Sequence, residues 1–141
     1  MTVAGFGESQ YWKGNDRFNR HDYRGAIEAY SKAILKDPTN FAALLHRATS
    51  HELLEEYEEA LTDYDRAIAL VSSFGVAFHY RGHVHSKLGK PDLAVADYDS
   101  ALIWAHTVAV DPHGIMMKVD RASAYYDRGT HIATSAGSRR P

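Results

Sequence analysis

The stretch Ala26-Ile27-Glu28-Ala29-Tyr30-Ser31-Lys32-Ala33-Ile34 returns, with the same order of residue types, as Ala60-Leu61-Thr62-Asp63-Tyr64-Asp65-Arg66-Ala67-Ile68 and as Ala94-Val95-Ala96-Asp97-Tyr98-Asp99-Ser100-Ala101-Leu102. In each copy an alanine, an aliphatic, a tyrosine, an alanine and an aliphatic stand where they share one face of a helix. Each copy begins 34 residues after the last. A fixed period of this length marks helix–turn–helix units that bury their apolar faces by stacking on one another. Such a scaffold points to binding and leaves the partner unnamed.

Outward from the phrase, each unit needs a partner helix. In the first, a helix is expected from about Glu8 or Ser9 through Tyr11, Trp12, Gly14, Asn15 and Phe18, with residues 1–7 a flexible leader. His21-Asp22 turns the chain into the phrase helix, and Asp37-Pro38 stops it, since proline cannot continue the hydrogen-bond ladder. Thr39 or Asn40 can cap the next helix. The second unit starts at Phe41, carries Leu44, Leu45 and Ala48, and turns near Glu55-Glu56; the third starts at Gly75, with Ser72 and Ser73 as candidate caps, and turns at Gly89-Lys90-Pro91. Gly14, Ala48 and Gly82 place a small residue at the same register in all three first helices, and Ala122 follows 40 residues later. Small residues are required where helix backbones approach closely.

These residues resemble the tetratricopeptide repeat family. Its pattern is a small residue in the first helix, then alanine, an aromatic and alanine in the second, often closed by proline. Gly14, Ala26, Tyr30, Ala33 and Pro38 meet it, as do Ala48, Ala60, Tyr64 and Ala67, and Gly82, Ala94, Tyr98 and Ala101. Ser72 and His106 stand where the later prolines would be. The resemblance covers roughly residues 7–129 and implies an all-α, right-handed helical-repeat solenoid of three helix pairs plus a closing helix. The repeats fall at about 7–40, 41–74 and 75–108.

The fourth unit departs from the pattern. Arg121-Ala122 matches Arg47-Ala48 and Arg81-Gly82, but Asp111-Pro112 lies 10 residues past Ala101 where the first unit has 4 between Ala33 and Asp37. Six residues are inserted. Added to the helix, they would lengthen it by about 9 Å and rotate its exit by roughly 240°. An insertion at 109–114, a closing helix at 115–129 and a frayed tail at 130–141 are expected.

Composition narrows the function classes. At 141 residues, 45% hydrophobic and 24% charged, the chain can bury a core as one domain. A net charge of −2 without a basic run gives no footprint for nucleic acid or an anionic membrane. No cysteine is present, so disulfides and thiolate metal sites are excluded. No stretch approaches a spanning length and no basic-then-apolar leader opens the chain, so a cytoplasmic protein is expected.

The family resemblance implies that first helices line a concave groove. It assigns partner contact to Tyr11, Asn15, Phe18, Leu45, Thr49, Glu52, His79, His83 and Tyr126, a mixed apolar and polar lining suited to a peptide. Lys13-Gly14-Asn15 resembles the opening of the co-chaperone subgroup that clamps a C-terminal carboxylate. The other clamp positions hold Tyr11, His46, Val76 and Tyr80, so cations for a carboxylate are missing. Nine histidines include His79 and His83 at i and i+4, a zinc-ligand spacing, with Glu52 the nearest obvious carboxylate. They are read as polar surface residues, with no metal and no cofactor. A groove sensitive to pH through these histidines is the other reading. No phosphate loop or nucleophile context is present, so no catalytic residue is assigned. Trp104, Met116, Met117 and Tyr125 make the C-terminal end apolar, a candidate association surface for self-assembly or a larger complex. The expected function is a non-enzymatic protein-binding adaptor; the alternative is a structural subunit docked through that end.

Overall fold

The structure, a computed structural model, describes residues 3–138, with side chains from 9 to 132. Seven helices follow one another as α1 (Val3–Asn19), α2 (Tyr23–Lys36), α3 (Phe41–Leu53), α4 (Tyr57–Leu70), α5 (Gly75–Lys87), α6 (Pro91–Ile103) and α7 (Arg121–Ser138). A two-stranded ribbon of β1 (Ala109–Val110) and β2 (Met116–Met117) separates the last two. The chain is otherwise all-α, with helices packed in the pairs α1–α2, α3–α4 and α5–α6 and α7 closing against α6.

The repeated phrase occupies α2, α4 and α6, and its alanines and tyrosines form the inter-helix contact. Ala26, Tyr30, Ala33, Ala60, Tyr64, Ala67, Ala94, Tyr98 and Ala101 are all essentially buried. The alanines let the partner helix come close while the tyrosine fills the space beyond. At Gly14 a Cβ would run into the Tyr30 ring, and at Gly82 it would come within 2.6 Å of the Tyr98 ring. Turns inside the pairs share one device. His21, Glu55 and Gly89, again 34 apart, all have positive φ, at 62°, 61° and 72°. Glycine adopts this freely, whereas the two side-chain-bearing residues pay about 1–2 kcal/mol.

Caps follow the sequence in part. Asp22 accepts from the Gly25 N–H at 2.9 Å and Asn40 from the Ala43 N–H at 3.0 Å. Ser72 and Ser73 do not cap α5, whose N-cap position is the buried Phe74. Arginines at one register join the two helices of a unit and reach back to the unit before. Arg47 donates to both Asp63 oxygens at 2.7 Å and to Ser31; Arg81, one period on, donates to Asp97 at 3.0 and 2.8 Å and to Asp65 at 2.9 Å.

The ends differ from expectation in four respects. The helix begins at Val3, not near Glu8 or Ser9, so a leader over residues 1–7 is replaced by helix from its third residue; the two glycines there weaken a helix by only about 1 kcal/mol each. The insertion does not lengthen α6, which stops at Ile103; it folds as the ribbon. The closing helix starts at Arg121, capped by Asp120 on the Ala122 and Ser123 N–H groups, rather than at residue 115. It continues past Gly129 through residues expected to fray, because His131 bonds to Ser86 of α5 and to the Asp127 carbonyl and so holds the helix down. Residues 139–141, at the end of the expected tail, lie outside the described residues.

Register within α7 also differs. Ala122 is exposed and Ala124 is fully buried against Ala101, Ala105 and Val119. The inward face is Ala124, Asp127, Arg128 and His131, spaced at i, i+3, i+4 and i+7.

Candidate functional site

The first helices α1, α3 and α5 carry most of the residues that the resemblance assigns to a groove, and part of that face is covered by the chain itself. Asp111-Pro112-His113-Gly114 makes a turn in which the Gly114 N–H donates to the Asp111 carbonyl at 2.9 Å, with proline and a positive-φ glycine in the places such a turn favours. The Asp111 carboxylate accepts from the His113 and Ile115 N–H groups through one oxygen and from the Tyr11 hydroxyl, 2.9 Å away, through the other. The His113 ring stacks on Tyr11 at 5.3 Å and lies 4.2 Å from Trp12. Ala109 and Met117 pack against the core cluster. The ribbon is thus a strap over the α1 end of the groove.

Beside the strap a cleft of about 320 Å³ stays open. Phe18, Leu45, His46, Thr49, Val76 and Tyr80 line it from the helices, and Met116, Met117 and Lys118 from the strap. Of the residues predicted to contact a partner, Phe18, Leu45 and Thr49 meet here. Tyr11 is fully buried under the strap. Asn15 accepts the Tyr30 hydroxyl at 2.6 Å, and Glu52 accepts the Tyr64 hydroxyl at 2.8 Å. Tyr126 is exposed on α7, away from this cleft's lining. The residues named for partner contact leave out His46 and Tyr80, which also line this cleft; the turn signal Asp-Pro-x-Gly was the clue to the strap.

His46 sits among the rings of Tyr11, Phe18 and Tyr30, at 6.1, 6.2 and 5.8 Å. Burial pushes its imidazole down to about 4, against the pull of the Asp111 carboxylate. In the unfolded chain the group takes up a proton near pH 6.5 and in the folded chain only near 4. The unfolded state therefore binds more protons across that window, and stability falls with falling pH by about 3 kcal/mol in all. Urea midpoints at pH 7 and pH 4.5 should diverge more for the native chain than for His46→Asn. Equal divergence would remove His46 as the cause.

A second group lies between α5 and α7. His79 and His83 contact the same Asp127 oxygen through their Nε2 atoms, at 3.0 and 2.8 Å. Burial lowers the His79 pKa, with the Asp127 bond opposing it; burial also resists ionisation of Asp127, yet the two imidazoles hold its pKa below the ordinary value. His79 is buried, so its reading as a polar surface residue does not hold. Asp127, and not Glu52, is the carboxylate the pair meets, because α7 docks with that residue facing α5.

The apolar end is mixed. Met116 and Tyr125 are exposed, as are Val108, Val110 and Ile115, whereas Trp104 is half-buried and Met117 turns inward onto the core.

Comparison with known proteins gives a consistent picture. The family model described as tetratricopeptide repeat matches residues 11–73. No curated protein matches the chain. Among solved structures, the second repeat domain of Spaghetti (RPAP3), bound to the HSP90 peptide SRMEEVD, is 33% identical over 70% of this chain and 92% of its own, with a TM-score of 0.68. The first domain of Spaghetti, bound to the same peptide, is 24% identical over 94% of each chain, with a TM-score of 0.81. The second domain of human RPAP3, in complex with the HSP70 peptide SGPTIEEVD, is 27% identical over 92% of this chain and 98% of its own, with a TM-score of 0.75. Among the described residues no helix is long and apolar enough to cross a membrane.

Proposed function

Because the chain belongs to the tetratricopeptide repeat family, a family of helical protein-interaction domains, we propose that it is a non-enzymatic adaptor that holds a segment of a partner protein in the cleft beside the strap. The observation that carries this reading is the cleft itself, a concavity with apolar walls at Phe18, Leu45, Val76 and Met116 and hydrogen-bonding groups at Tyr80 and Lys118. Apolar walls supply affinity and a few convergent polar groups fix register, the balance found in peptide-binding clefts.

The partner segment differs from the chaperone tails held by the two RPAP3 relatives. Asp111 already places a carboxylate against Tyr11, where the resemblance would put the clamp, and a second carboxylate would meet repulsion there. The cleft instead suits an apolar segment with its charge toward Lys118.

Photo-crosslinking from a reactive residue introduced at Thr49 identifies the segment, which is then synthesised and titrated. Val76→Glu and Phe18→Asp should each weaken it at least tenfold, about 1.4 kcal/mol, and SRMEEVD should bind far more weakly than the identified segment. Unchanged affinity in both variants sinks the cleft. A second reading, docking through the exposed strap edge, is favoured by Val110, Ile115 and Met116 standing exposed together. It predicts loss of binding in Val110→Asp and Ile115→Asp with the cleft variants intact.

A further inference from the structure

We propose that His79, His83 and Asp127 are a zinc site that ties the closing helix to the third repeat.

The donors are already gathered. His79 and His83 stand one turn apart on α5 and present Nε2 atoms to the same side, and Asp127 reaches them from α7. All three donor atoms lie within 4.8 Å of one another. Zinc at about 2.0–2.2 Å from each donor separates neighbouring donors by roughly 3.3 Å. The observed contacts of 3.0 and 2.8 Å therefore need to widen by only a few tenths of an ångström. Two imidazoles and one carboxylate suit zinc, whereas calcium and magnesium take oxygen donors almost alone. A metal-binding imidazole must be neutral, and burial of His79 keeps its pKa low.

A comparison between repeats supplies an independent observation. Asn15, Thr49 and His83 occupy the same register, 34 residues apart. Asn15 accepts the Tyr30 hydroxyl, and Thr49 bonds to the Tyr64 hydroxyl at 3.1 Å. In the third repeat His83 turns to Asp127 instead, and the Tyr98 hydroxyl, fully buried, is left without a hydrogen-bond partner among the described residues. The register one turn on shows the same diversion. Glu52 accepts from Tyr64, while its counterpart Ser86 bonds to His131. Tyr98 has the rings of His79, His83 and His131 around it, at 5.7, 5.8 and 5.5 Å. Burial and then the Asp127 charge raise its pKa. A three-ligand zinc ion keeps a fourth position for water, and the Tyr98 hydroxyl is the buried group left over to bond with that water. His83 is partly exposed and gives the ion a way in.

The test uses the whole chain freed of metal by a chelator and then titrated with zinc chloride, with cobalt(II) as a spectroscopic substitute. The site predicts one-to-one binding, a visible cobalt ligand-field band of tetrahedral or five-coordinate strength, and a melting temperature raised by about 5 °C or more at a hundredfold excess over Kd. His83→Gln and Asp127→Asn should each weaken binding at least tenfold, while His21→Gln, on an exposed turn, should not. If a variant unfolds, the native chain's cobalt spectrum still decides. Absence of the band and of the melting shift overturns the proposal. So does zinc binding of equal strength in all three variants, which would mean an adventitious ion on surface histidines only.

Discussion

Tyr64→Ala should lower the stability of the chain by about 3 to 5 kcal/mol, the cost of truncating a large aromatic in a packed core, and its melting temperature by about 10 to 20 °C. Tyr64 is fully buried at the centre of the middle repeat, so the cavity cannot be relieved by collapse from solvent. The loss has a polar part as well. Its hydroxyl is the donor to Glu52 at 2.8 Å and bonds Thr49 at 3.1 Å, and burial already raises the Glu52 pKa. Tyr64→Phe keeps the ring and removes these bonds, and should cost about 1 kcal/mol. Chemical denaturation of the two variants separates the contributions. A Tyr64→Ala loss under 1 kcal/mol would mean that the repeat core is not packed as described.

Asp63→Ala is the second large effect, at about 3 to 5 kcal/mol, because it strands a buried guanidinium. The Arg47 side chain is 17% exposed and that of Asp63 4%, joined by two contacts of 2.7 Å. A buried pair gains little over apolar packing of the same volume, since desolvation offsets most of the attraction. The double variant Arg47→Met with Asp63→Leu should therefore recover most of the loss. If the double variant is as unstable as Asp63→Ala, the pair stabilises the stack in its own right. Solvent screening decides the contrast with Arg24 and Glu56, a similar contact on the surface, whose removal should be nearly silent.

The repeat was legible because its signals are local and redundant. Alanine, tyrosine and alanine at fixed spacing fall on one helix face three times, and each copy corroborates the others. The strap was not legible, although its parts were present. Asp111-Pro112 matches Asp37-Pro38 as a helix stop, and a template that expects a stop there reads past His113-Gly114, the turn those residues make. The contact of Asp127 with His79 and His83 was hidden for a different reason. Which face of α7 turns inward depends on how the six inserted residues are spent, and a hairpin aligns Ala124 where extrapolation from Arg47-Ala48 puts Ala122. Of the positions assigned to the groove, Phe18, Leu45 and Thr49 line the cleft. Tyr11, Asn15, Thr49 and Glu52 have polar atoms engaged with neighbours, and sequence position says nothing about which hydrogen bonds are already taken.

The strap also changes the order in which the chain can assemble. Units of a stacked repeat touch only their neighbours, so most contacts form between residues close in sequence. The bond from Tyr11 to Asp111 spans 100 residues. Its chain-closure entropy falls sharply once the three helix pairs between them have stacked and brought both ends within reach. Docking of the strap is thus a late event on the folding route and its release an early one on the way out. Hydrogen exchange should find the Ile115 amide opening at lower free energy than those of α4, in a molecule that behaves as a fastened ring when the strap is down and as an open spring when it lifts.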